Sequence, residues 1–171
     1  MFLNPRQIIN HVTIPHGARV ADFGTGAGHY ATAALEKVGS TGAVYAFDAF
    51  APSLDSLHRS VSHHGNLYTL TSDLNAHIPL ADNLLKAGIA ANILHQLRDR
   101  SRFVRELSRV LAPDGEALVV DWVSSFRNMG PPEGSVITPG EAARLFEEAG
   151  FSVGDMLPAG THHFAFVAKN H

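Results

Sequence analysis

Apolar and polar positions along the chain change period in a regular way, and that change predicts most of the elements. Ala18–Phe23 is an unbroken apolar run apart from Arg19 and Asp22, long enough for a strand buried on both faces. Three glycines at alternate positions follow, Gly24, Gly26 and Gly28. A helical pattern then runs to about Val38, with Tyr30, Ala33, Ala34 and Leu35 near core spacing. After the turn Gly39-Ser40-Thr41-Gly42, residues 43–47 form a second strand with Asp48 at its end. Leu54, Leu57 and Val61 mark one face of a helix over 53–61, and Leu67–Thr71 is a third strand closed by Ser72-Asp73. Residues 80–86 read as loop and 88–94 as a fourth strand. Phe103, Val104, Leu107, Val110 and Leu111 give a helix over 100–111, Pro113-Asp114-Gly115 a turn, and 116–122 a fifth strand.

Local punctuation fills in the ends. Asn4-Pro5 is an N-cap with proline at the first helical position, so a short leading helix precedes Pro15 and Gly17. Phe126–Pro139, with its prolines and glycines, reads as a loop. Thr138-Pro139-Gly140-Glu141 is a capping box that starts a helix to Ala149, which Gly150 stops. Two strands remain, 151–157 and 162–169, too closely spaced for anything but an antiparallel hairpin. Alternating strands and helices closed by a hairpin predict a doubly wound α/β, Rossmann-like sheet of seven strands. It is mostly parallel, with an antiparallel last strand, in a three-layer α/β/α sandwich. We expect a single domain over 1–171, with 1–17 as N-terminal helix and lead-in.

Composition narrows the chemistry. The 171 residues carry a net charge of −3 with scattered Lys and Arg, which makes nucleic acid a poor partner. There is no cysteine, so disulfides, thiolate nucleophiles and Cys-held zinc are excluded. With no apolar run near the ~18 residues of a span and no signal-peptide pattern at the N-terminus, a cytoplasmic protein is expected. His63-His64 and His162-His163 are adjacent pairs; neighbours on a strand point to opposite faces, so neither is a natural chelate and no metal site is expected.

The glycine turn at the carboxyl end of the first strand is a place for a nucleotide-like cofactor, because the backbone approaches a ligand without Cβ atoms and the helix start offers free N–H groups. A dinucleotide loop, Gly-x-Gly-x-x-Gly, needs a third glycine at position 29, where His29 stands. An NAD-dependent oxidoreductase is therefore the weaker reading.

Val20-Ala21-Asp22-Phe23-Gly24-Thr25-Gly26-Ala27-Gly28 instead resembles the first motif of the class I S-adenosylmethionine (SAM) dependent methyltransferases. The resemblance continues through Ala46-Phe47-Asp48, Thr71-Ser72-Asp73-Leu74 and the 89–99 segment. Arg105–Gly115 and Glu141–Phe151 are similar to segments of the ubiquinone/menaquinone-biosynthesis-like, type 11 subgroup. It departs at the start of the fourth strand, where Lys86-Ala87 replaces a common acidic residue. The resemblance implies SAM as cofactor, leaving S-adenosylhomocysteine as product. It places Asp22, Gly24, Thr25, Gly26 and Gly28 around the amino-acid part and ribose, and Asp48 on the ribose hydroxyls. It puts Ala49, with Phe50, against the adenine, Asp73 and the Leu74 amide on the adenine edge, and Asn92 near the methyl.

Methyl transfer from a sulfonium needs a base only when the acceptor must lose a proton, so a missing catalytic dyad is compatible with an enzyme. His95 is the one weak candidate for such a base. The expected partner is a small-molecule methyl acceptor, in a pocket lined by the N-terminal helix, the 92–97 loop and the 126–139 loop, with Trp122, Phe126 and Met129 as apolar contacts. A homodimer stays open. The rival within the same cofactor class is a SAM-binding protein without catalysis.

Overall fold

A computed structural model of the chain describes residues 3–125 and 130–171. Its centre is a seven-stranded sheet. In chain order the strands are β1 (Arg19–Phe23), β2 (Ala43–Asp48), β3 (Leu67–Thr71), β4 (Leu85–Ala91), β5 (Leu111–Trp122), β6 (Ser152–Val153) and β7 (His163–Lys169); in space they run β3-β2-β1-β4-β5-β7-β6. Pairs from β3 to β5 are parallel, and β7 is antiparallel to both β5 and β6. The expected Rossmann-like sheet is therefore present, with β7 as the reversed strand.

Five helices cover the two faces: α1 (Pro5–Ile8), α2 (His29–Val38), α3 (Ala51–Ser60), α4 (Arg100–Val110) and α5 (Pro139–Glu148). Period-two alternation sends successive strand residues to opposite layers. Val20, Val44, Ala46 and Ile89 pack with Ile8, Leu35 and Leu54 under α1–α3. Ala21, Phe23 and Phe47 pack with Phe103, Leu107 and Phe146 under α4 and α5. Phe23 lies at the middle of this second layer, stacked on Phe47 at 5.3 Å and edge-on to Phe103 at 5.6 Å. Each such ring, fully buried, contributes about 1.5–3 kcal/mol through burial alone.

The caps behave as their residues require. The Asn4 side chain accepts from the Arg6 amide, and Thr138 and Glu141 form the reciprocal capping box. Arg109 donates to the carbonyls of Ile78 and Leu80 and to Asp82, while Glu106 accepts from the Ile78 amide. The Glu106–Arg109 end of α4 thus pins the crossover between β3 and β4. The Arg109 guanidinium holds the Glu106 carboxyl down at about 2.

Four boundaries differ from expectation. β4 spans 85–91 and not 88–94, because Asn92 takes a left-handed conformation (φ 57°) and turns the chain into a 3-10 turn at Leu94–Gln96. A uniformly apolar run carries no mark for that ending. β6 contracts to Ser152–Val153; beyond it the Gly154 amide still donates to the Val167 carbonyl, and Leu157 is joined to Ala165 by an isolated bridge. α3 begins two residues earlier than its apolar stripe, with Pro52 in its first turn. β5 starts directly at Leu111, and its register against β4 shifts where the 112–115 segment bulges, with Asp114 at φ 60°. Among the described residues no helix is long and apolar enough to cross a membrane.

Candidate functional site

β1 and β4 are neighbours, yet their following connections leave in opposite directions, to β2 and to β5. A crevice opens where that happens, at the carboxyl ends of the strands. The glycine loop 24–28 sits in it. Gly24, Gly26 and Gly28 have φ of 76°, 49° and 78°, a left-handed series that side chains resist. Their surroundings differ. A Cβ on Gly24 would meet Ile93 at 2.7 Å and one on Gly28 would meet Leu57 at 2.4 Å, so these two are required by packing. A Cβ on Gly26 would meet no protein atom within 4 Å.

Two carboxylates hold this loop. Asp22, 1% exposed, accepts from the Thr25 hydroxyl (2.6 Å) and the Ala31 amide (3.0 Å). Burial pushes its carboxyl up to about 6 against these hydrogen bonds, with the Asp48 charge adding to the rise. Asp48, at the end of β2, accepts from the Gly26 amide at 2.8 Å and from the Phe50 amide at 2.9 Å. Its carboxylate therefore joins the loop to the start of α3.

On either side of Gly24 and Gly26 lies a cavity. The smaller, of about 410 Å³, is lined by Asp48, Ala49, Ser53, Asp73 and Leu74, among others. The Asp73 carboxylate accepts from the Asn75 amide (2.9 Å) and side chain (2.8 Å), which hold it below the usual carboxylate range. The larger cavity, of about 630 Å³, is walled by Leu3 and Pro5, by Thr25 and Tyr30, by Asn92, and by Trp122 and His163 at the far side. Gln96 borders both. Two polar atoms in the larger cavity's wall are buried without a hydrogen-bond partner, the Tyr30 hydroxyl and Asn92 Oδ1. Such groups are expensive to leave unmade. Burial, then the charge of Asp22, raises the Tyr30 phenol further.

Of the residues singled out in the sequence, Gly24, Thr25, Gly26, Asp48, Ala49, Asp73, Leu74 and Asn92 thus converge on the two cavities. Asp22, Gly28 and His95 line neither. Asp22 works on the loop from beneath, Gly28 caps α2, and the His95 ring is turned to Asp121, with Nδ1 2.7 Å from its Oδ1. Trp122 lies in the wall as expected, and Phe126 and Met129 fall outside the described residues. Sequence reasoning missed Tyr30, Asp121 and His163, while Gln96 lies in the 92–97 loop expected to line the pocket. Asp121 was open to detection, as a lone carboxylate ending the apolar run of β5. His163 carries no local signal beyond its pairing with His162 in sequence.

The comparisons with known proteins agree with this geometry. Residues 21–119 match the model of the family described as methyltransferase domain. No curated protein sequence matches the chain. Among solved structures, a SAM-dependent methyltransferase from Aquifex aeolicus is 30% identical, superposes with a TM-score of 0.89, and shares 99% of this chain and 91% of its own. A Sulfolobus solfataricus protein described as a type 11 methyltransferase is 22% identical over 99% of this chain and 94% of its own, with a TM-score of 0.79. The cyclase SpnF, 15% identical over 97% of this chain and 80% of its own, has a TM-score of 0.82 and shares the fold alone. With the family model spanning more than half of its length, this chain belongs to the class I SAM-dependent methyltransferases.

Proposed function

We propose that the protein, a single catalytic domain, transfers a methyl group from SAM to an uncharged small-molecule acceptor. The observation that carries this reading is the pair of cavities meeting at Gly24 and Gly26. One molecule spanning both would place its adenosyl end in the smaller and its amino-acid end in the larger. The residues present fit such a group. Gly26 leaves its Cβ direction open, Asp48 keeps spare acceptor capacity toward two ribose hydroxyls, and Asp73 and the Leu74 amide flank the adenine position. Asn92 Oδ1 supplies an acceptor for the ammonium and the Tyr30 hydroxyl a donor for the carboxylate, satisfying both unpartnered atoms.

When bound, SAM supplies an already activated methyl group on sulfur. The chain supplies position. Asp22 and Asp48 fix the loop, and Leu3, Pro5 and Trp122 keep water from the acceptor side. Among the described residues the larger cavity has no Lys, Arg, Asp or Glu in its wall, which favours an uncharged acceptor and disfavours a phosphate backbone.

Calorimetric titration with SAM, S-adenosylhomocysteine and NAD tests the reading. SAM and its product should bind and NAD should not; NAD binding alone would sink it. Formation of S-adenosylhomocysteine with acceptor present then separates an enzyme from a SAM-binding protein without turnover.

A further inference from the structure

His95 heads the sequence candidates for a base, but Asp121 has already claimed it. Asp121 is fully buried at the end of β5 and accepts from the His95 ring (2.7 Å), the His95 amide (3.2 Å) and the Trp122 amide (2.8 Å). That arrangement ties the turn after β4 to the last residues of β5, and it leaves the His95 ring outside both cavities. His163 stands differently. It opens β7, pairs in register with Trp122, and lies in the wall of the larger cavity. Its ring packs on the Trp122 indole at 4.3 Å, and among the described residues neither of its ring nitrogens has a hydrogen-bond partner.

We propose that His163 is the group that takes the acceptor's proton during methyl transfer, and that the acceptor is an uncharged molecule whose attacking oxygen or sulfur carries that proton. The proposal rests on the methyltransferase reading above. Three observations support it. A titratable side chain whose ring nitrogens have no partner among the described residues lines the cavity, and the described wall has no fixed charge to recognise an ion. The Trp122 and His163 rings, 4.3 Å apart and tilted by 41°, offer aromatic contacts to a ring-bearing acceptor. The groups that bear on His163 are suited to a base: burial lowers its pKa below the ordinary histidine value, Asp121 opposes that, and His162 and His95 add to it. The ring is then neutral near pH 7 and ready to accept.

The step balances without a further reactant. A lone pair on the acceptor's oxygen or sulfur forms the new bond to the methyl carbon. The carbon–sulfonium bond breaks, and its electrons return to sulfur as the thioether of S-adenosylhomocysteine. The acceptor's proton passes to a His163 ring nitrogen, and the charge of Asp121 favours the imidazolium so formed.

The test uses the full chain with SAM and four probes, catechol and phenylmethanethiol as proton-bearing acceptors, benzoate and benzylamine as charged controls. Catechol or phenylmethanethiol should be methylated and the charged probes not. Wild-type kcat/KM should rise with pH along an acidic limb set below the ordinary histidine pKa. His163→Gln should lower kcat/KM by about a hundredfold or more and abolish that limb. S-adenosylhomocysteine affinity, measured by calorimetry, reports whether this variant and His163→Asn are folded. Unchanged rate and limb in a variant that binds S-adenosylhomocysteine would overturn the proposal. So would a wild-type protein that binds it but turns over neither proton-bearing probe. Wild-type protein that binds no S-adenosylhomocysteine would strike the cofactor reading itself, and the proposal with it.

Discussion

The two cavities beside the glycine loop are built in different ways. The smaller draws on short stretches that end adjacent strands: Asp48-Ala49 after β2 and Ser72–Asn75 after β3. Its polar groups are engaged with the chain before any ligand arrives, Asp48 with Gly26 and Phe50, and Asp73 with Asn75. The larger gathers single residues from distant places, Pro5, Tyr30, Asn92, Trp122 and His163, and two of its buried polar atoms have no partner. A cofactor shared by a whole family can be met by a preorganised local frame. The cofactor's amino-acid end and an acceptor particular to one protein would share a space lined by side chains that only the topology brings together.

Gly26 is the sharpest test, since it borders both cavities. Gly26→Val should abolish SAM binding by calorimetry, while thermal unfolding shows a folded protein less stable by about 1–2 kcal/mol from its left-handed backbone. A variant that still binds would mean that the space above Gly26 is not shared. Asp48→Ala, confined to the smaller side, should weaken SAM by about a hundredfold through lost charge-assisted hydrogen bonds. Equal affinity in wild type and variant would refute the ribose assignment.

Asp22 probes the loop between the two. Its folded pKa of about 6 lies above the ordinary carboxylate value of 3.8, so the native state keeps this proton longer than the unfolded chain. The stability it contributes is complete below 3.8 and is lost as pH rises through about 6. Asp22→Asn should therefore gain on wild type by roughly 3 kcal/mol between pH 3 and pH 7, read from denaturant midpoints at each pH. Parallel stability curves would contradict the burial argument. The smallest effect belongs to Tyr30→Phe. It removes an unpartnered buried hydroxyl, so the free protein should keep or slightly raise its melting temperature while SAM affinity falls by about tenfold. Unchanged affinity would place the hydroxyl away from the ligand and blur the contrast between the cavities.

The same contrast explains what could be read from the chain. β1, β3, the Asn4 cap and the Thr138–Glu141 box follow from local period and cap chemistry, and the structure agrees at each. The frame of the smaller cavity was legible for that reason: its residues lie in contiguous motifs. β4 was misplaced because Leu84–Leu94 is apolar almost throughout, and only the left-handed Asn92 decides where it stops. His163 stayed hidden because its meaning depends on β7 returning antiparallel beside β5, a pairing that sets it across from Trp122. A residue 68 positions from His95 in sequence carries no mark of sharing its neighbourhood.

The bond between the Gly26 amide and Asp48 has a consequence for how occupancy would be sensed. It makes the glycine loop and the end of β2 one cooperative unit, so whatever grips the carboxylate also slows the opening of the loop. The Gly26 amide should exchange its hydrogen with solvent more slowly as the site fills, making one backbone proton a gauge of cofactor saturation.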